Sequence, residues 1–177
     1  MRFCSLVILA CCVSFLSADD WPQYMGKNRD GVWQEKAIVN SFHPKGLPVK
    51  WRMPIKYGYG GPAVRGGRVF VMDYDTPGKI QNSPDGTNEL TGKERVLCFA
   101  SLTGKKLWEH AYEQPYKISY AAGPRCTPTL DSGKVYTLGA QGRLTCLDEK
   151  SGNLVWEKSL PETYKTCLLY TSPSPRD

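Results

Sequence analysis

The chain has little with which to hold a transition metal. Its only histidines are His43 and His110, and none of its seven cysteines falls in a Cys-x-x-Cys or haem-attaching Cys-x-x-Cys-His spacing. Zinc and haem sites are therefore excluded, since each needs a cluster of such ligands. Concentrated positive charge is also missing. Lys and Arg exceed Asp and Glu by 23 to 17, yet no three basic residues are contiguous and no stripe forms. A nucleic-acid footprint needs such a concentration, so nucleic-acid binding is excluded and the lysines read as solvated. No spacing matches a calcium loop: Asp73-x-Asp75 with Asn82, Asp85, Asn88 and Glu89 lacks the twelve-residue pattern closed by Glu. No nucleophile–base pair is evident, and no residue is assigned a catalytic role. The expectation is no metal site and no evident cofactor.

Long apolar runs are absent except at the start. Residues 1–18 combine a cationic Met1-Arg2, an apolar stretch from Phe3 to Phe15, and small residues before Asp19-Asp20. This reads as a secretory signal, too short for a permanent anchor. A lipoprotein reading, with Ile8-Leu9-Ala10 before Cys11, is the alternative. The expected location is periplasmic or extracellular, with no transmembrane anchor. Residues 167–177, from Cys167 to Asp177, read as a translated sequencing adaptor, hence a non-native tail, or else as a Ser/Pro-rich linker. Without both ends, Cys98, Cys126 and Cys146 remain.

What the chain does have is repetition. Pro62-Ala63-Val64-Arg65-Gly66-Gly67-Arg68-Val69-Phe70-Val71 returns as Pro128-Thr129-Leu130-Asp131-Ser132-Gly133-Lys134-Val135-Tyr136-Thr137. The stretch Leu97 to Glu109 returns as Thr145 to Glu157. Short β-type runs, punctuated by glycine at this period, signal a radial array of small sheets. In the second copy four strands are predicted: Thr127–Leu130, Lys134–Leu138, Arg143–Leu147 and Leu154–Lys158. Glycine sits where tight turns need positive φ, and Asp or Ser where a side chain can bond the turn backbone. The fold class is all-β, a propeller of four-stranded antiparallel blades. Cys98 and Cys146 share one repeat position, so each is expected to pack within its own blade.

The segment Cys146-Leu147-Asp148-Glu149-Lys150-Ser151-Gly152-Asn153-Leu154-Val155-Trp156-Glu157 resembles the repeat of pyrroloquinoline-quinone (PQQ)-like β-propellers. Its pattern is Asp, then Ser or Thr three residues on, then Gly and, four later, Trp. The resemblance implies that Trp108 and Trp156 staple adjacent blades, with Gly104, Gly152 and Asp148 shaping the turns. Ala100 stands where Asp148 stands, so the first turn should be looser. Trp51 is similar to the end of a further blade. The opening around Asp20-Trp21-Pro22-Gln23-Tyr24 is similar to secreted PQQ-like repeat proteins of planctomycete-type bacteria. The implied organisation is an N-terminal extension over 19–46 and a partial propeller over 47–166. Within the latter come a blade-closing strand at 47–52, a blade at 62–109 and a blade at 127–158. About two blades of a whole of seven or eight are expected, making the chain the front of a longer protein.

The two copies differ in length. Val69 to Val96 spans far more chain than Val135 to Leu144, and the Trp108-to-Pro128 connection exceeds the Trp51-to-Pro62 one. Both excursions should leave from the same face of an antiparallel blade, and long loops on rigid scaffolds commonly carry binding. The ligand-face candidates are Lys56, Tyr57, Tyr59, Asp73, Asp75, Tyr120 and Arg125, with Tyr116, Lys117, Asp85 and Glu89 nearby. Aromatics and cations beside carboxylates suit an acidic peptide, a saccharide or a quinone. The expected function is a non-catalytic exported binding or scaffold module whose protein, peptide or saccharide partner meets the loop face. Two alternatives stay open. A PQQ-dependent alcohol or sugar dehydrogenase would use PQQ with Ca²⁺, although the only vicinal cysteines, Cys11-Cys12, lie in the leader. The other is a propeller lipoprotein of the outer-membrane barrel-assembly machinery.

Overall fold

The computed structural model describes residues 19–36, 38–80, 87–118 and 121–165. The expected leader 1–18, the tail 167–177 and candidates Tyr120 and Asp85 lie outside these ranges. The described chain is nearly all β. Its strands are β1 (Ala63–Arg65), β2 (Arg68–Asp75), β3 (Asn88–Leu90), β4 (Lys93–Ala100), β5 (Lys106–Glu113), β6 (Tyr116–Ile118), β7 (Thr129–Asp131), β8 (Lys134–Leu138), β9 (Arg143–Asp148) and β10 (Leu154–Ser159). One short helix, α1 (Leu160–Tyr164), follows, with Ser159 as its N-cap. Two four-stranded antiparallel sheets run β1-β2-β4-β5 and β7-β8-β9-β10, with a two-stranded ribbon β3-β6. These are propeller blades of the expected kind.

Turn chemistry sets the strand boundaries. Gly66 and Gly67 have φ of 56° and 73°, and Ser132 and Gly133 have 46° and 74°. Two-residue hairpins need positive φ at both positions, because that twist matches the flanking strands. The next conserved-geometry turn follows β4 and β9. In the second blade Asp148 N bonds Asn153 O, Gly152 N bonds Asp148 O, and Glu149 N reaches Gly133 O. In the first blade Ala100 N bonds Lys105 O, Gly104 N bonds Ala100 O, and Ser101 N reaches Gly67 O. The expected loosening at Ala100 does not occur. The same backbone bonds define both turns, each with a side-chain oxygen two residues before the turn's end (Thr103 Oγ1 from Lys105 N, Ser151 Oγ from Asn153 N, both 3.3 Å), and the Asp148 carboxylate, bonded by Ser151 N at 3.0 Å and Ser151 Oγ at 2.9 Å, adds to the second. Those bonds hold the Asp148 carboxyl below its usual range.

The blades are joined through their tryptophans. Trp108 Nε1 donates to Glu149 O of the next blade at 3.1 Å, and the indole lies over Gly152. Trp51 makes the same arrangement on the first blade, donating to Ser101 O at 2.7 Å over Gly104. Residues 47–52 are not in a strand here, unlike the sequence expectation: a blade's outer strand needs a ladder to its inner neighbour, and no described residue supplies one. Trp156 has no such neighbour among the described residues and is 39% exposed. A β-bulge precedes each strand-borne tryptophan, leaving Leu107 and Val155 unpaired. The extra residue re-aims the side chain that follows, so Trp108 falls opposite Cys98 and faces the neighbouring blade.

Between the blades, Phe70, Met72, Val96, Cys98 and Trp108 meet Leu130, Val135 and Leu147 in one apolar core. The other face of the first blade buries Val71, Leu97 and Phe99. Cys98 and Cys146 are buried free thiols in separate blades. Ion pairing adds to the seam: Arg65 bonds Glu149, and Arg68 donates to Glu149 O and Lys150 O, both at 3.1 Å. The N-terminal segment clamps the inner strands of both blades. Trp21 pairs with Val64 of β1 through bonds of 2.8 and 2.9 Å, while Leu130 N of β7 donates to Pro22 O at 2.8 Å. No helix among the described residues is long and apolar enough to cross a membrane.

Two outcomes follow for stability. A Cβ at Gly152 would lie 2.6 Å from the Trp108 ring, whereas at Gly133, with the same φ of 74°, it meets nothing within 4 Å. Gly133→Ala should cost only the left-handed strain, about 1 kcal/mol, and Gly152→Ala about 2–4 kcal/mol because the indole must also leave its seat. Urea midpoints of the two variants test the difference. Burial also lowers the His110 pKa below 6.5. The fold thus favours the neutral imidazole, so its stabilisation is complete above pH 6.5 and is lost as pH falls through the lowered folded value. His110→Leu should flatten the decline in urea midpoint below pH 6.5.

Candidate functional site

The two long connections build one surface. Strand β3, from the β2-to-β4 excursion, pairs with β6, from the blade-to-blade connection, through Asn88↔Ile118, Glu89↔Lys117 and Leu90↔Tyr116. Gln114 N donates to Gly92 O at 2.9 Å, tying the roots of both excursions. On the outer side Lys117 and Glu89 form an exposed ion pair of 3.1 Å. On the inner side Tyr116 and Ile118 pack with Tyr74, Leu90 and Ala122. Tyr74 and Tyr116 stack with centroids 3.8 Å apart.

Asp73, a candidate from sequence, is 0% exposed. Its strand partner Arg95 grips it with two bonds, Nε at 2.8 Å and Nη2 at 2.6 Å, and Lys56 N donates at 2.7 Å. The bond to Asp73 raises the Arg95 pKa. Asp75 receives Arg95 Nη1 at 3.3 Å and Lys56 Nζ at 3.7 Å. Tyr57 bridges back to Tyr74 through two backbone bonds. Lys56, Tyr57, Asp73 and Asp75 therefore come together, and their arrangement seats the 51–57 segment on the first blade.

A second buried acid was not singled out from sequence. Glu94 is 0% exposed, and its carboxylate accepts from Tyr112 OH, Tyr116 OH and Ala140 N, the last at 2.7 Å. Ala140 belongs to the next blade, so this cage spans the seam. Gly139 makes room for it, since a Cβ there would lie 2.0 Å from Glu94 Oε2. Burial, then the neighbouring Glu94 charge, pushes the Tyr74 pKa up to about 12 and raises those of Tyr112 and Tyr116 as well. Strand alternation carries the missed signal: Glu94 lies in phase with Val96 and Cys98, on the inward stripe. Its place in the charged run Lys93-Glu94-Arg95 disguised it.

Tyr59 and Arg125 form a third locus where the two blade-to-blade segments run side by side. Tyr59 N donates to Pro124 O at 2.9 Å, and the Arg125 guanidinium lies 4.8 Å over the Tyr59 ring. With Trp21, Tyr24, Met25 and Thr127 they line an open recess of about 560 Å³ beside the inner strands. Aromatic rings and a cation there suit an acidic or aromatic group from a partner.

The described residues do not furnish a cradle for Ca²⁺ with PQQ. A calcium site needs several free oxygen ligands, while both oxygens of Asp73 and both of Glu94 are engaged by donors of the fold. No cluster of three His, Cys, Asp or Glu occurs among the described residues.

Residues 92–172 match the family model described as outer membrane protein assembly factor BamB. The matched stretch is PQQ-like propeller repeat. Among curated proteins, BamB of Salmonella typhimurium is 32% identical over 69 residues, covering 37% of this chain and 18% of that protein. Among solved structures, BamB from Moraxella catarrhalis aligns at 14% identity and a TM-score of 0.30, covering 59% of this chain and 37% of that one. A europium-containing methanol dehydrogenase aligns at 18% identity and a TM-score of 0.28, covering 58% and 24%. The chain thus spans about a fifth of the curated relative's length.

The Glu94 cage makes a sharp energetic statement about the PQQ-like repeat seam. Glu94→Gln replaces one accepting oxygen by an NH₂ facing a tyrosine hydroxyl, which should cost about 1–3 kcal/mol. Tyr112→Phe should cost about the same, and the double variant little more than either alone, because both remove one shared network. Urea denaturation of the three variants measures the coupling.

Proposed function

We propose that this chain belongs to an exported PQQ-like propeller that acts as a non-catalytic scaffold and binds a protein partner on its loop face. The observation that carries this reading is the commitment of the buried acids there. Asp73 is held by Arg95 and Lys56, and Glu94 by two tyrosines and Ala140, so neither is placed to abstract a proton from a substrate. The Trp21–Tyr24–Tyr59–Arg125 recess offers instead an aromatic and cationic contact of the kind that anchors protein partners. Residues 1–18 supply the export signal in this reading.

A second version of the same class is favoured by the 32% identity over 69 residues to an outer membrane protein assembly factor. There the partner is an envelope assembly protein and Cys11 carries a lipid. Palmitate labelling lost in Cys11→Ser marks the anchored form; its absence leaves the soluble scaffold. The dehydrogenase reading is tested by adding PQQ and Ca²⁺ to the protein. No quinone absorbance and no dye-linked alcohol oxidation are expected, and turnover would overturn the scaffold reading. For partner binding, a photo-crosslinker at Tyr59 should yield one discrete product in the cell envelope that a crosslinker at exposed Leu102 does not. Arg125→Glu should reduce that product about tenfold, corresponding to the loss of one well-placed contact.

A further inference from the structure

The four residues that follow the expected leader are held one by one. Asp19 N–H donates to the Glu35 carboxylate, and Asp20 Oδ1 accepts from Gly66 N at 3.0 Å. Trp21 exchanges two backbone bonds with Val64, and Pro22 O accepts from Leu130 N at 2.8 Å. Asp19 and Glu35 stand sixteen positions apart, so their contact closes a loop. Inside it Arg29 Nε bonds Gln23 Oε1 at 3.1 Å, Gly31 N bonds Met25 O at 3.0 Å, and buried Gly26 lies against the Trp21 ring. The loop lends Trp21, Tyr24, Met25 and Gly31 to the recess that faces Tyr59 and Arg125. Whatever fastens its two ends therefore shapes one wall of that recess.

In the uncleaved chain this fastening is chemically incomplete. Glu35 is partly buried, and no lysine or arginine among the described residues pairs with it. The Asp19 amide offers it one neutral N–H. Ala18 is the last small residue before the polar Asp19-Asp20, the place at which an export peptidase cuts. Hydrolysis there breaks the C–N bond: water gives its hydroxyl to the Ala18 carbonyl, and the released amine takes up a proton. An α-amino group has a pKa of about 8, so at neutral pH Glu35 then meets an ammonium with three donors. A charge-assisted bond of this kind is stronger than a neutral one. We propose that Glu35 is the receptor for the N-terminus made by cleavage between Ala18 and Asp19, and that their ion pair locks the recess wall only after processing. The inference rests on the export and partner-binding reading above and adds a regulation to it.

The test begins with the exported chain, whose N-terminal residue is read by mass spectrometry and should be Asp19. Amide hydrogen exchange is then followed at Trp21 and Gly31 in that form. The comparison is the same chain with a Gly-Ser extension before Asp19, long enough to carry its own amine away from Glu35. The free terminus should slow exchange at both amides about threefold, the worth of one exposed ion pair. Glu35→Gln should erase that difference. The extended chain, identical from Asp19 onward, keeps the comparison valid even where Glu35→Gln does not fold. A mature terminus elsewhere, at Cys11 included, overturns the proposal. So do equal exchange rates in the two forms, or a difference that survives in folded Glu35→Gln. Exchange reads the protein alone, whereas the Tyr59 crosslink reads the partner, so either can fail without the other.

Discussion

The structure depends on one contact made twice: an indole lying flat on a turn glycine of the next blade while its N–H bonds a turn carbonyl. Trp51 makes it with Ser101 and Gly104, and Trp108 makes it with Glu149 and Gly152. The indole couples area and direction, since the ring buries apolar surface and the N–H fixes its orientation. The first blade therefore receives the Trp51 ring and offers Trp108 to the second. Stability in such an array is a sum of nearest-neighbour terms, and here the term has an identifiable atomic core. The bulges at Leu107 and Val155 belong to the same device, because without the added residue the next side chain would point to the opposite face.

Along the seam the inward stripe changes character. Phe70 and Met72 give way to Tyr74, Cys98 and Val96 to Glu94, and Trp108 to His110 and Tyr112. At the first end, close packing joins the blades. At the loop end, hydrogen bonds aimed from tyrosine hydroxyls and Ala140 N to the Glu94 carboxylate do so. A buried charge is tolerable only when it is bonded in this way. The apolar end supplies driving force, and the polar end restricts how the second blade can be rotated against the first. The long excursions root at that restricted end, so the surface they form rests on a rigid base.

Much of this was legible in the residues. The doubled segments, the Gly-rich turns and the Gly-to-Trp spacing led to four-stranded antiparallel blades, because each depends on local backbone chemistry. The pairing of β3 with β6 was not legible: it joins residues whose nearness depends on the blades being built first. Glu94 was hidden for a different reason. Its neighbours Lys93 and Arg95 point the other way in the pleat, and a charged triplet reads as solvent-facing unless the strand's phase is already known. Asp73 stands among the ligand-face candidates in the sequence, and its partner Arg95 stands directly across the ladder. That pairing requires the register between β2 and β4, which the intervening loop conceals. Ala100 shows the converse: a missing side-chain cap matters less than the backbone bonds that shape the turn.

The clamp made by Trp21 and Pro22 has an implication for the order of assembly. Val64 and Leu130 must both be in place before the opening segment can be held at both ends. The Trp21–Pro22 segment has only half its anchor until the second blade is present. A segment early in the sequence is thus secured late, a latch drawn across two sectors after they have closed on each other.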